Sequence, residues 1–218
     1  MLLGHRLVPM AFQIRDKILS EIDGRVADNG VSLPWVALMA TMVGAGNHVE
    51  VGSLFGASAI AVALLKKEAG LSGNVVCIDP YEPRDVNYIK KDLDDSIKEG
   101  TAEALMANAK KFGLDNIIHI KARSQPWPKE LKGWTFTSGY IDGDHTGENP
   151  WLDFKAMAAA GCHHIGFDNY EEGFPDVVKA VRQAMALEDW MLYFKDTVFC
   201  AFRRPAPSRG SGINILQL

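Results

Sequence analysis

Two acidic segments in the second half of this chain hold the residue types and spacing that could do chemistry. Ile141-Asp142-Gly143-Asp144-His145 and Phe167-Asp168-Asn169-Tyr170 each close an apolar, strand-like run. Asp142, Asp168 and Asn169 are oxygen donors, and an all-oxygen set suits a hard divalent cation, magnesium first, with manganese or calcium as the other choices. Asp and Asn at such places also cap the helices that follow, but three together beside a histidine favour the cation. His145 follows two carboxylates, which raise an imidazole pKa, whereas a nearby cation lowers it. An imidazole poised near neutrality serves as a general base. His5, His48, His119, His163 and His164 have no such setting and are assigned structural or surface roles.

A second constellation lies upstream, in Val49-Glu50-Val51-Gly52-Ser53-Leu54-Phe55-Gly56-Ala57-Ser58. It reads as a buried strand, an acid, a glycine-rich turn and a helix start. Glycines there permit a tight turn and close approach of a ligand, while helix N–H groups face its polar end. The same pattern also serves as an ordinary strand-to-helix loop. The next strand ends in Asp79, the place where an acid accepts hydrogen bonds from both ribose hydroxyls, so an adenosine-containing cofactor is expected. A short-chain dehydrogenase is excluded as its user, because none of Tyr81, Tyr88, Tyr140, Tyr170 or Tyr193 has a lysine four residues later. The third glycine of the dinucleotide fingerprint is missing as well. S-adenosylmethionine suits the loop better, since its cationic methionine portion can lie beside Glu50 and the carboxylates ending strand four.

These residues need a frame to hold them, and the chain supplies alternating strand and helix beyond residue 48, the pattern of a parallel sheet covered on both faces. Strands are expected at His48–Val51, Asn74–Asp79, Ile117–Lys121, Phe136–Asp142 and His163–Asp168. Helices are expected at Ser58–Ala69, Thr101–Phe112, from Pro150 to before Gly161, and Pro175–Leu187. Trp190–Phe194 and Thr197–Phe202 are separated by only Lys195-Asp196, too few residues for a crossover, so they must pair antiparallel. The predicted architecture is a Rossmann-like α/β/α sandwich of five parallel strands plus a C-terminal antiparallel hairpin. Two further helices, Ala11–Ala27 and Leu33–Val43, precede the first strand. The expected organisation is one domain over residues 1–218, with a helical cap at 1–46, an insert or lid at 80–100 and a mobile Pro/Gly/Ser-rich tail at 205–218.

The bulk numbers agree with an ordinary globular protein. The 218 residues are 47% hydrophobic, and a net charge of -4 disfavours a general nucleic-acid binder. Cys77, Cys162 and Cys200 form no close pair and are expected as buried, reduced thiols of a cytoplasmic protein. The N-terminus lacks the h-region of a signal peptide, and the longest apolar stretch, Leu33 to Val43, is too short to span a bilayer.

Together these residues make the chain resemble the class I S-adenosylmethionine-dependent methyltransferases, and among them the metal-dependent O-methyltransferases of catechol, caffeoyl-CoA and macrocin type. The resemblance covers Val49 to Arg203. Its first loop, Glu-x-Gly-x-x-x-Gly-x-Ser, is matched by Glu50, Gly52, Gly56 and Ser58, with Ser53 inside it. Ser124-Gln125 stand where that family has a Ser-Gln pair at the adenine edge. Asp142, Asp168 and Asn169 match its metal ligands in type and order, and Asp142 also borders the cofactor. His145 stands where catechol-type members have a lysine base and the macrocin-like branch has a histidine. Asp79 replaces the glutamate common in catechol-type members, and the 80–100 insert is longer than in compact ones. The resemblance implies methyl transfer to a hydroxyl of a small molecule of sugar or natural-product type, with His145 as base and Tyr170, Trp35 and Tyr88 as candidate walls for the acceptor. A homodimer is an open expectation. A non-catalytic S-adenosylmethionine-binding protein, or another enzyme such as a hydroxylase on this fold, are the alternatives.

Overall fold

A computed structural model describes residues 2–24, 26–82 and 101–205. The core of the expected lid (83–100, with Tyr88) and nearly all of the expected tail (206–218) lie outside the described residues.

The strands are β1 (Asn47–Val51), β2 (Val75–Ile78), β3 (Ile117–Ile120), β4 (Phe136–Ile141), β5 (His164–Phe167), β6 (Met191–Lys195) and β7 (Cys200–Arg203). They form one sheet in the order β3-β2-β1-β4-β5-β7-β6. The first five pair parallel, and β7 pairs antiparallel with both β5 and β6. The expected hairpin is therefore present, but its second strand inserts beside β5 and leaves β6 at the edge. The turn is also longer than the expected two residues, because pairing resumes only at Cys200. Strand order reverses between β1 and β4, the crevice where such sheets bind ligands.

The helices are α1 (Leu2–Glu21), α2 (Leu33–Met42), α3 (Ala57–Glu68), α4 (Ala102–Lys111), α5 (Asn149–Ala159) and α6 (Pro175–Met185). Two buried clusters cover the sheet. On one face Ile18, Val36, Leu65 and Leu105 bring in α1 to α4; on the other Phe154, Met157, Val177 and Val181 bring in α5 and α6. Burial on both faces explains why β1 and β2 read as nearly continuous apolar runs.

The first helix departs from expectation. It starts nine residues before Ala11, runs through Pro9 and stops at Glu21 rather than Ala27. An internal proline costs a helix about 3 kcal/mol. Here Leu7, Ala11, Ile14 and Ile18 form one buried stripe that offsets this cost by packing on the core. Among the described residues no helix is long and apolar enough to cross a membrane, and all three cysteines are buried and free.

Candidate active site

Register brings the predicted residues to one end of the sheet. Glu50 lies between Cys77 on β2 and Tyr140 on β4. Asp79, Asp142 and Asp168 immediately follow the last paired residues of β2, β4 and β5. The Asp142 N–H donates to Val51 O at 2.9 Å and the Asp168 N–H to Ile141 O at 3.0 Å, so the two carboxylates stand on neighbouring strand ends.

Glu50 is fully buried. Desolvation raises its pKa to about 8; the hydroxyls of Ser58 and Ser53 pull the other way, and the Asp79 and Asp168 carboxylates push it further up. Those hydroxyls lean toward it without completing a hydrogen bond, since both Glu50 carboxylate oxygens lack a partner. A buried carboxylate in this condition calls for a cationic or donor-rich ligand group.

The loop after β1 owes its glycines to the protein as much as to any ligand. Gly52 has φ of 86°, and a Cβ there would stand 2.0 Å from Asp142 O. The β1 and β4 loops thus touch backbone to backbone. Gly56, also at φ 86°, begins α3 with no side-chain cap, which leaves helix N–H groups facing the crevice. Asp79 secures the loop from below: its Oδ2 accepts the Leu54 N–H at 3.0 Å, its Oδ1 accepts the Tyr81 N–H at 2.8 Å, and the Tyr81 hydroxyl donates to Leu54 O at 3.0 Å.

Beyond β3, the Gln125 amide donates to Asp153 Oδ1 at 2.8 Å. Asp153 is fully buried on α5, and burial raises its pKa to about 6 against the pull of Gln125 and Ser124. The expected Ser124-Gln125 pair is therefore joined to a carboxylate that the sequence reading passed over.

On the acidic side, His145 Nε2 lies 3.7 Å from Asp142 Oδ1, with 14% of the imidazole side chain exposed. The ring meets Phe174 edge-on at 5.3 Å. Asp144 has a different task. It accepts from the Thr146 N–H at 3.0 Å, the Thr146 hydroxyl at 2.6 Å and the Asn149 amide at 2.9 Å, and so shapes the loop that presents His145. Asn169 adopts φ of 54°, and the Lys195 ammonium stands 4.7 Å above the Tyr170 ring. Trp35 is not at the site: it packs on Phe12 at 5.5 Å and on Phe194 at 4.8 Å, within the cap-side core. Among the described residues no group of three His, Cys, Asp or Glu side chains is gathered to hold a metal. The expected set has only two such side chains, with Asn169 as its third member, and its two carboxylates and amide suit a hard cation chemically.

Three functional candidates were missed in the sequence. Asp153 shares the buried α5 stripe with Pro150, Phe154 and Met157, so a carboxylate at apolar spacing was its signal. Asn108, a buried polar residue of α4, had a similar one: its amide donates to Asp23 O at 2.9 Å and to Phe55 O at 3.1 Å, tying cap to loop. Tyr81 had no local signal.

A sequence profile described as a methyltransferase domain matches residues 49–160, just over half of the 218 residues. The chain belongs to this methyltransferase family. No curated protein matches its sequence. Solved structures similar to the methyltransferase include cofactor-bound Rv0187 from MTB, at 18% identity and a TM-score of 0.62 over 91% of this chain and 89% of that one. An O-methyltransferase from Bacillus cereus in complex with SAH matches at 17% identity and 0.59 over 91% and 90%. The O-methyltransferase TomG from Streptomyces achromogenes, in complex with SAM, matches at 15% identity and 0.58 over 91% and 89%. At these identities the likeness is one of fold.

Proposed function

We propose that the methyltransferase uses S-adenosylmethionine to methylate a hydroxyl of a small molecule of sugar or natural-product type, with a divalent cation, magnesium first, at Asp142, Asp168 and Asn169. The observation that carries the cofactor reading is the buried Glu50 carboxylate with both oxygens unpartnered beside the glycine loop. It matches a ligand with an ammonium group, whose carboxylate would face the uncapped start of α3. Gly52, Ser53, Gly56 and Ser58 would line this end, and Asp79 would accept from the ribose hydroxyls. Ser124 and Gln125 would hold the base. The Bacillus cereus and Streptomyces achromogenes neighbours, O-methyltransferases with SAH or SAM bound, support the same reading.

When bound, the cofactor supplies an electrophilic methyl group and the cation lowers the pKa of the acceptor hydroxyl. The protein's part is positional and basic. His145 takes the hydroxyl proton, Asp142 stabilises the imidazolium at 3.7 Å, and Phe174 holds the ring edge-on. Much of the rate comes from holding both reactants in line. The Asp142, His145, Asp168 and Asn169 set also favours catalysis over a binding-only protein, which would need no base.

Calorimetry with S-adenosylmethionine and NAD tests the cofactor; binding of NAD alone would overturn the reading. His145→Ala should lower turnover with hydroxylated acceptors by about 10²–10⁴-fold while sparing cofactor affinity. Methyl transfer that survives EDTA would remove the cation and leave the cofactor in place.

A further inference from the structure

We propose that Asp176 is a positioning residue that latches the loop after β4 to α6 and so holds His145 where it can take a proton. The inference rests on His145 being the base, and it deepens that reading. Two contacts of equal spacing join the two segments. The His145 ring meets the Phe174 ring edge-on at 5.3 Å. Two residues further along each segment, the Gly147 N–H donates to Asp176 Oδ2 at 2.8 Å. The first contact orients the imidazole; the second is directional and fixes the loop that carries it.

An acid in the first turn of a helix ordinarily serves the helix dipole. Asp176 is in that turn of α6, but its hydrogen bond reaches 29 residues back along the chain. Its mount is rigid, since Val177, Ala180, Val181 and Ala184 bury the inner face of α6 in the core. Phe174 is tied to the same mount, because its carbonyl accepts the Val178 N–H at 3.1 Å. The three bonds of Asp144 run to Thr146 and Asn149, within the loop and the start of α5. They shape the loop without setting its place against α6. Gly147 has φ of 62°, a backbone conformation that glycine adopts without strain. The latch also joins the two strand-end segments, with Asp142 and His145 on one side of it and Asp168 and Asn169 on the other.

The test follows the six imidazoles of the full chain by NMR, with the His145 signal assigned through His145→Gln. Phe174→Leu removes the neighbouring ring current and marks the position of an unstacked imidazole. Asp176→Ala should move the His145 signal toward that mark. Asp176→Asn should leave it in place, since an amide oxygen still accepts from Gly147. A role confined to the helix dipole would lower the melting midpoint alike in both variants and leave the signal unmoved. An unmoved signal in Asp176→Ala, an equal shift in Asp176→Asn, or a parent signal already at the mark overturns the inference. This arm needs no acceptor, so it decides whatever hydroxyl the methyltransferase takes. With S-adenosylmethionine, magnesium and catechol, Asp176→Ala should lose roughly ten- to a hundredfold in kcat and keep its KM for S-adenosylmethionine. Full turnover in His145→Ala would overturn the base reading and leave the placement of the ring standing.

Discussion

The most consequential single residue is Glu50, because burial makes its charge conditional on a ligand. Its pKa rises from 4.5 to about 8 in the folded protein. A value above that of the unfolded chain means that the stability this group contributes is intact below about pH 4.5 and is lost as pH rises through about 8, a loss approaching about 5 kcal/mol. Glu50→Gln should therefore flatten the dependence of denaturant midpoint on pH between about pH 5 and pH 8, and the variant should be the more stable protein at pH 8. An unchanged slope would mean that Glu50 is already ionised in the folded protein. A cation bound beside Glu50 pulls the pKa back down, so cofactor binding near pH 7 should release a proton, visible as a buffer-dependent binding enthalpy. The type and place of Glu50, Asp142, His145 and Asp168 were legible in the sequence, because strand-end position follows from local pattern. The task of Asp144 was not: its three hydrogen bonds within the loop from Asp144 to Asn149 make it a builder, though it reads like another acid of the site.

At the scale of elements, the loop after β1 is held by parts of the chain far from it. Asn108 on α4 joins Asp23, past the end of α1, to Phe55 in the loop, and also accepts the Asp23 N–H at 3.0 Å. Gly24 is required beside this junction, since a Cβ there would meet the Phe55 ring at 2.3 Å. Asn108→Ala should cost about 1–3 kcal/mol, because it leaves buried backbone groups unpaired. It should also weaken cofactor binding, whereas a polar change at exposed Met106 of the same helix should do neither; thermal melts and calorimetry separate the two. Helix and strand existence was legible from periodicity, with ends off by a few residues. The start of α1 was not, because Pro9 argues locally for a break while the packing that overrides it is tertiary.

At the scale of the whole molecule, two cores lock the sheet from opposite faces, and β7 binds the second one together. Phe202 meets Phe154 at 6.1 Å and Phe167 at 6.0 Å, edge to face in both cases. Phe202→Ala should destabilise the protein by about 3–5 kcal/mol in urea unfolding. Cofactor affinity of the folded fraction should be nearly unchanged, because β7 approaches the site only at its Cys200 end. The sequence by itself determined the alternation of strand and helix, the antiparallel sense of the last two strands and the identity of the acids at the strand ends. These are consequences of local periodicity, of a connection too short for a crossover and of chain order. Only the tertiary structure decided that β7 lies between β5 and β6, that Gln125 faces a carboxylate 28 residues away, and that Glu50 is sealed from water with both oxygens unpartnered. Those outcomes depend on which distant groups share a desolvated space, and no local pattern encodes that.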